Sequence, residues 1–308
     1  MSTSGARRWR WQQSTVGELG AEFLGTFIIL AFGIGVVAMV VAALNQSGRG
    51  PAPFVTQADW LMIVFGWAFA VTFAVYVAGG VSGAHLNPAV TLAQALYRGF
   101  PWRKVGPYFA AQMLGAFVAA ALVYFNYHAA INSYAAVHHE TRGALNSIDT
   151  YSIFATFPAR YYHSWVGPFA DELIGTAFLI GIIFAVIDEY NAPVKANLAP
   201  LLIGFIIAAI GLSYGANSGY AINPARDFGP RLFAWIAGWK SIALPGNYGN
   251  VNDYFWIPIV APMLGAVIGG VVYDTLIRKV LIARGVKPDL EVVEAGEDVI
   301  DRGGQAAG

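Results

Sequence analysis

The 308-residue sequence contains no cysteine, which excludes disulfides, thiol nucleophiles and cysteine-bound metals and leaves the redox compartment undetermined. Charge is scarce as well. Asp, Glu, Lys and Arg make up 12% of the residues and cancel to a formal net charge of zero. A soluble domain carries about a quarter of its residues as charges, and a nucleic-acid partner calls for a basic excess; neither condition is met. No nucleophile–base pair or cluster of metal-ligating side chains stands out, so an enzyme is disfavoured and neither a cofactor nor a metal is assigned. The adjacent His138 and His139 are not read as a metal site. The N-terminus also lacks a cleavable signal pattern, its first apolar run being too long.

What the chain has instead is apolar length. Hydrophobic residues make up 57% of it, and six runs are free of charge: 23–44, 61–84, 108–127, 173–187, 198–220 and 254–272. A helix needs about 20 apolar residues to cross the hydrocarbon layer of a membrane. Uninterrupted runs, rather than amphipathic stripes, argue against a very hydrophobic soluble helical protein. Six membrane crossings in a single domain are therefore expected, with the fourth lengthened by its polar leading turn. Basic residues set the orientation: Arg7, Arg8 and Arg10 precede the first run, Arg98, Arg103 and Lys104 follow the second, Lys195 the fourth, and Arg278, Lys279, Arg284 and Lys287 the sixth. The positive-inside rule then puts both termini in the cytoplasm.

The sequence repeats itself. Ala21-Glu22-Phe23-Leu24-Gly25-Thr26 returns as Asp171-Glu172-Leu173-Ile174-Gly175-Thr176, and Met113-Leu114-Gly115-Ala116 returns as Met263-Leu264-Gly265-Ala266; both pairs are offset by 150 residues. Ser82-Gly83-Ala84-His85-Leu86-Asn87-Pro88-Ala89 returns as Ser218-Gly219-Tyr220-Ala221-Ile222-Asn223-Pro224-Ala225, offset by 136. Each half thus holds three crossings and one loop motif. An odd number of crossings inverts the second half relative to the first, as in transport proteins whose sites lie at the repeat interface near the midplane.

Asn is a strong helix N-cap, and Pro is favoured at the first helical position. Asn87-Pro88 and Asn223-Pro224 therefore start two short helices, 88–96 and 224–235. At about 1.5 Å per residue, each spans roughly half of the hydrocarbon layer. Entering from opposite faces, they meet at the midplane. Each Asn oxygen caps its helix, leaving its NH2 free to face the lumen, where the helix dipoles add positive potential. Donors and dipoles there turn a passing oxygen toward them, repel cations and interrupt a proton-conducting water wire, an established device in membrane pores. The preceding stretches, Gly83, Ala84, His85, Leu86 and Gly219, Tyr220, Ala221, Ile222, cannot be helical, and such backbone is tolerated at membrane depth only where it is buried or lines a cavity. Their carbonyls are expected to line the lumen, while Glu22 and Glu172 act as buried struts for the N–H groups that face away. Placement of the two Glu at the membrane interfaces is the other reading; their matched repeat positions favour the strut.

These residues resemble the major intrinsic protein family, and within it the glycerol facilitator or aquaglyceroporin branch. The likeness runs from about residue 17 to 279 and is most specific over 82–91 and 219–232. It implies an aquaporin-like fold: an all-α membrane protein whose six transmembrane helices form a right-handed bundle around two re-entrant half-helices in an inverted repeat. It also implies a pore in each protomer, a homotetramer in the plasma membrane, and glycerol and water as permeants. By alignment on the two motifs, the family's filter falls on Trp67, Gly211, Tyr220 and Arg226. Water-selective members typically place histidine where Gly211 stands, and glycine there opens the constriction. Trp67 and Tyr220 offer an apolar wedge to a carbon backbone, while Arg226 donates to hydroxyls and repels cations. The bacterial facilitator of the branch has phenylalanine in place of Tyr220, and other glycerol channels have tyrosine, which leaves the filter's width and its preference among polyols open.

Five positions that separate the branches are of the glycerol type: Tyr127, Asp227, Arg231, Pro258 and Ile259. The segment 238–253 also resembles that branch and accounts for the shifted repeat offset. Some residues have plainer readings. Trp67 suits an interfacial anchor, Asp227 and Arg231 suit a structural pair, and the His85 ring suits packing. The expected organisation is an N-terminal cytoplasmic segment 1–16, a channel domain 17–282 and an acidic, disordered cytoplasmic tail 283–308. Within the channel domain, repeat one covers 17–128 and repeat two 167–282, joined by an outer loop 129–166 that caps the vestibule. Two rivals stay open: a water, urea or metalloid channel of the same family, and an ion-coupled transporter relaying charge through Glu22, Glu172 and Arg226.

Overall fold

The computed structural model describes residues 14–49, 56–192 and 194–288. Arg7, Arg8, Arg10 and the part of the acidic tail from 289 to 308 lie outside the described residues. Every regular element among the described residues is helical: α1 (Thr15–Ala38), α2 (Thr56–Ser82), α3 (Pro88–Tyr97), α4 (Trp102–Val137), α5 (Ile148–Tyr151), α6 (Val166–Ile187), α7 (Ala199–Ser218), α8 (Pro224–Ala234), α9 (Lys240–Ala243), α10 (Ile257–Tyr273) and α11 (Lys279–Ala283). Six stretches are long and apolar enough to cross a membrane: Thr15–Gln46, Trp60–Ser82, Trp102–Val137, Val166–Ile187, Ala199–Ser218 and Tyr254–Ala283. The first and last extend α1 and α10 through π-helical turns at Met39–Ala43 and Asp274–Arg278. The third runs on to Val137, beyond residue 128 where the first repeat was expected to end, so the outer loop is shorter than its sequence suggested.

Large apolar side chains such as Phe32, Phe69, Phe73, Phe125 and Leu276 are exposed on the outer faces, while many of the buried positions are alanine. That inversion of the soluble pattern suits a lipid surround, where helices associate through close packing of small residues. The duplication is visible in the packing. α1 lies against α2 and α4, and α6 lies against α7 and α10. Gly115 of α4 and Gly265 of α10 occupy equivalent crossings. A Cβ on Gly115 would meet the Phe23 carbonyl and come within 3.1 Å of Phe27 N; one on Gly265 would meet the Leu173 carbonyl and come within 3.2 Å of Ala177 N. Backbone cannot yield as a flexible side chain does. Gly265→Val is accordingly expected to lose at least about 1–3 kcal/mol to overpacking, read as a lower melting temperature and a smaller monodisperse peak in detergent.

The half-helices are exchanged between the halves. α3 of the first repeat packs on α10 of the second as well as on α4, and α8 of the second packs on α4 of the first. Each short helix thereby finds apolar cover on both sides. Their N-termini are brought together in the interior of the bundle.

Candidate functional site

Both half-helices begin as the sequence dictates. Asn87 caps α3 through Oδ1, which accepts the Ala89 N–H at 2.8 Å, and Pro88 is the first helical residue. Asn223 caps α8 through Oδ1, accepting from Ala225 N at 3.0 Å and Arg226 N at 3.2 Å, with Pro224 leading. Ala89 and Ala225 are fully buried behind the caps. One expectation changes here. The Asn amides are not wholly free: Asn87 Nδ2 donates to the Ile222 carbonyl and Asn223 Nδ2 to the Leu86 carbonyl, both at 2.9 Å. An NH2 has two hydrogens. One locks each loop to the other motif, satisfying a buried carbonyl, and the second is left for the lumen, which both Asn residues line.

The loops ahead of the caps share one backbone pattern. Gly83, Ala84 and Leu86 have φ of 78°, 49° and 53°; Gly219, Tyr220 and Ile222 have 86°, 39° and 44°. Non-glycine residues in this left-handed region each cost about 1–3 kcal/mol and persist only where surroundings enforce them. The two buried carboxyl groups are that enforcement. Glu22 accepts from His85 N at 2.9 Å and Leu86 N at 2.7 Å, and from Ser82 Oγ at 2.6 Å and Gln112 Nε2 at 2.7 Å. Glu172 accepts from Ala221 N and Ile222 N, both at 2.8 Å, and from Ser218 Oγ at 2.6 Å. A buried carboxylate is tolerable only when so supplied with donors.

Between the loops runs a lumen lined by Gly83, Ala84, His85, Leu86, Asn87, Tyr220, Ala221, Ile222, Asn223 and Arg226, with a facing wall of aliphatic side chains that includes Ile29, Val71, Leu179 and Ile207. Gly219 is the left-handed cap that ends α7, and an added Cβ there would meet Thr156 at 3.0 Å. The His85 ring packs on Phe100 and Tyr108 at centroid distances of 4.6 and 5.2 Å, and Nδ1 lies 3.2 Å from Thr91 Oγ1.

At the level of the proposed filter, the Arg226 guanidinium lies 4.3 Å from the centre of the Trp67 ring. Trp67 is 4% exposed, deep in the bundle rather than at an interface. Among the described residues no carboxylate forms an ion pair with Arg226, which keeps its donors available. Tyr220 lines the lumen with a buried hydroxyl that has no partner in the protein. Gly211 is placed differently from expectation. It does not line the lumen but stands behind Tyr220, where an added Cβ would come within 2.9 Å of Tyr220 Cζ. The room left by the missing side chain is taken up by the tyrosine ring. Trp60, which the sequence reading did not single out, backs that ring at 6.1 Å and 76° and donates Nε1–H to the Gly211 carbonyl at 3.3 Å. No local motif marks Trp60, whose role depends on α7 lying alongside α2.

The branch positions lie off the lumen. Asp227 and Arg231 form a fully buried pair at 2.7 Å, Tyr127 borders a lateral groove between α1, α2 and α4, Pro258 is buried in the first turn of α10, and Ile259 is half-buried. Among the strut partners, Ser82 and Ser218 were visible in the Ser-Gly runs. Gln112 was not, since its repeat counterpart, 150 residues on, is Pro262.

A model of the major intrinsic protein family matches residues 9–273. The glycerol uptake facilitator protein of Escherichia coli (strain K12) is 44% identical over 287 residues, covering 93% of this chain and 95% of that protein. The propanediol uptake facilitator PduF of Citrobacter freundii is 44% identical over 269 residues, 87% of this chain and 95% of its own. Among solved structures, that of the aquaglyceroporin from Plasmodium falciparum matches with a TM-score of 0.72 and 33% identity, over 88% of this chain and all of that one.

Proposed function

Because the chain belongs to the major intrinsic protein family, we propose that it is a passive channel for glycerol and similar small neutral solutes, and for water, that refuses ions and protons. The observation that carries this reading is the two-sided lumen. One wall is aliphatic. The other presents backbone, two Asn amides and Arg226, the one Lys, Arg, Asp or Glu among the described lining residues. A polyol is apolar along its carbon edge and polar along its hydroxyl edge, so it can exchange water for both walls at once, whereas an ion would lose its hydration with no counter-charge in return. Trp67, Tyr220 and Arg226 form the constriction in this reading, with Gly211 setting how far the Tyr220 ring can recede. Asn87 and Asn223 orient oxygens at the midplane.

Basic residues Arg98, Arg103, Lys104, Arg278 and Arg284 gather at one end of the bundle, which supports cytoplasmic termini. A plasma-membrane location follows from the uptake role, and family membership supports a homotetramer with a pore in each protomer.

The test is stopped-flow swelling of proteoliposomes in glycerol, with sucrose as the impermeant control. Nonsaturating glycerol flux indifferent to protonophores is expected. Water flux without glycerol flux would sink the glycerol reading, and proton-dependent flux would favour a coupled transporter. Gly211→His must push the Tyr220 ring into the lumen. At about 1–3 kcal/mol of steric work it should lower glycerol permeability roughly tenfold or more, measured in the same assay, while narrower water is slowed less.

A further inference from the structure

The two struts differ in one respect. Where the first repeat has Ala21 beside Glu22, the second has Asp171 beside Glu172. Asp171 is 6% exposed and Glu172 fully buried. Between them stands a single hydroxyl: Ser218 Oγ lies 2.6 Å from Asp171 Oδ2 and 2.6 Å from Glu172 Oε1. A serine hydroxyl has one hydrogen. It cannot serve two ionised carboxylates, and a contact of that length between lone pairs would be repulsive. The first repeat has no such conflict, because Ser82 Oγ meets only one carboxylate, at 2.6 Å.

Counting donors places the missing hydrogen. Glu172 already accepts two backbone N–H groups at 2.8 Å, whereas Asp171 accepts one amide N–H, from Asn217 Nδ2 at 2.9 Å. Hydrogen bonds to a carboxylate favour its charge, so the negative charge belongs on Glu172. Arg226 lies in the field of Glu172 without forming an ion pair with it. The other titratable groups around the cluster are phenols. Tyr254 OH is 3.4 Å from the Ser218 carbonyl, Tyr161 OH is 2.6 Å from Asn217 Oδ1, and Tyr162 lies in the field of Asp171.

We propose that Asp171 is a positioning residue of the outer pore loop, holding it through one proton shared with Glu172 across the Ser218 hydroxyl. The chain of donors runs from Asp171 Oδ2–H to Ser218 Oγ, and from Ser218 Oγ–H to Glu172 Oε1. Glu172 in turn fixes the N–H groups of Ala221 and Ile222, next to Tyr220. On the outer side, Asn217 ties Asp171 to the loop through Tyr161 and through Ala159 N, which donates to the Asn217 carbonyl at 2.8 Å. This takes the place of Gln112, which supplies the first strut and whose counterpart is Pro262.

Asp171→Asn tests the idea sharply. Its NH2 can donate to Ser218 and its oxygen can accept from Asn217, reproducing the protonated acid, whereas Asp171→Ala copies the first repeat without Gln112. Infrared spectra of the full-length protein at neutral pH should contain a protonated-carboxyl stretch that Asp171→Asn removes. In proteoliposomes Asp171→Asn should keep glycerol flux, while Asp171→Ala should lower it at least about threefold, the scale of one lost buried hydrogen bond. No difference in the carboxyl stretch, an Asn variant as slow as the Ala variant, or an Ala variant as fast as the parent would each overturn the proposal. The flux arm rests on the channel reading; a parent protein that passes no glycerol defeats that reading, while the infrared band still decides the proton.

Discussion

Arg226→Val is expected to make the pore leak cations, raising ion conductance on the order of several hundredfold over the parent protein. Arg226 is the residue at which a fixed positive charge enters the lumen, 9% exposed and braced on Trp67. A passing cation comes within about 4 Å of it. At an effective dielectric of about 20, that approach is opposed by about 4 kcal/mol, and each 1.4 kcal/mol is a factor of ten. Valine removes the charge and most of the bulk together, so the constriction also widens. The half-helix N-termini stay in place, each worth about half a unit charge, and both Asn caps keep their reciprocal bonds. Protons should consequently leak less than alkali cations, because the midplane still interrupts the water file. Current recordings on planar bilayers and pH-jump assays on liposomes read the two separately. An unchanged leak in a variant that still conducts glycerol would remove Arg226 from the filter.

Much of this was legible in the sequence because membrane proteins obey few rules, and strictly. Charge-free runs locate the crossings since hydrocarbon admits little else, and a Pro after an Asn fixes where a half-helix begins. Glu22 and Glu172 could be read as struts because buried carboxyl groups need donors, and left-handed loops hold N–H groups that need acceptors. What escaped depends on approach in space. The second use of each Asn amide arises only because α3 and α8 meet tip to tip, so a carbonyl of one loop lies within reach of the other's cap. Gly211 was read as opening the lumen, yet a glycine gives up its space to whichever neighbour is nearest, and Tyr220 is nearer than the lumen. Trp60 and Gln112 carry no motif and act through helices distant in sequence. The end of α4 was placed too early because His128, Asn132 and Ser133 break up the apolar run after Tyr127, while helical hydrogen bonding continues through them to Val137.

The second large effect is expected away from the lumen, at Arg231. Its side chain and that of Asp227 are fully buried one turn apart on α8. All five guanidinium hydrogens have acceptors: Nε gives to Asp227 Oδ1 at 2.7 Å, Nη2 to Thr156 O at 2.7 Å and Asp227 Oδ2 at 3.1 Å, and Nη1 to Tyr248 OH at 3.0 Å and Ala243 O at 3.1 Å. Asp227 Oδ2 also accepts from Thr156 N and Oγ1 at 2.8 and 2.6 Å. One planar fork therefore ties the half-helix to two buried stretches distant in sequence, around Thr156 and over 243–248, and Thr156 is the residue against which Gly219 seats the pore loop. Arg231→Met leaves Asp227 buried without its cation, which costs about 3–5 kcal/mol. Arg231→Lys keeps the charge but offers three donors from a single point, so it cannot reach acceptors spread across two segments. Inactivation half-lives of detergent-solubilised protein at fixed temperature should therefore fall in the order parent, Lys variant, Met variant. The double variant Asp227→Leu/Arg231→Met should outlast Arg231→Met alone, because the unpaired charge goes with its partner. A lysine variant as durable as the parent would mean that the charge alone matters and the fork does not.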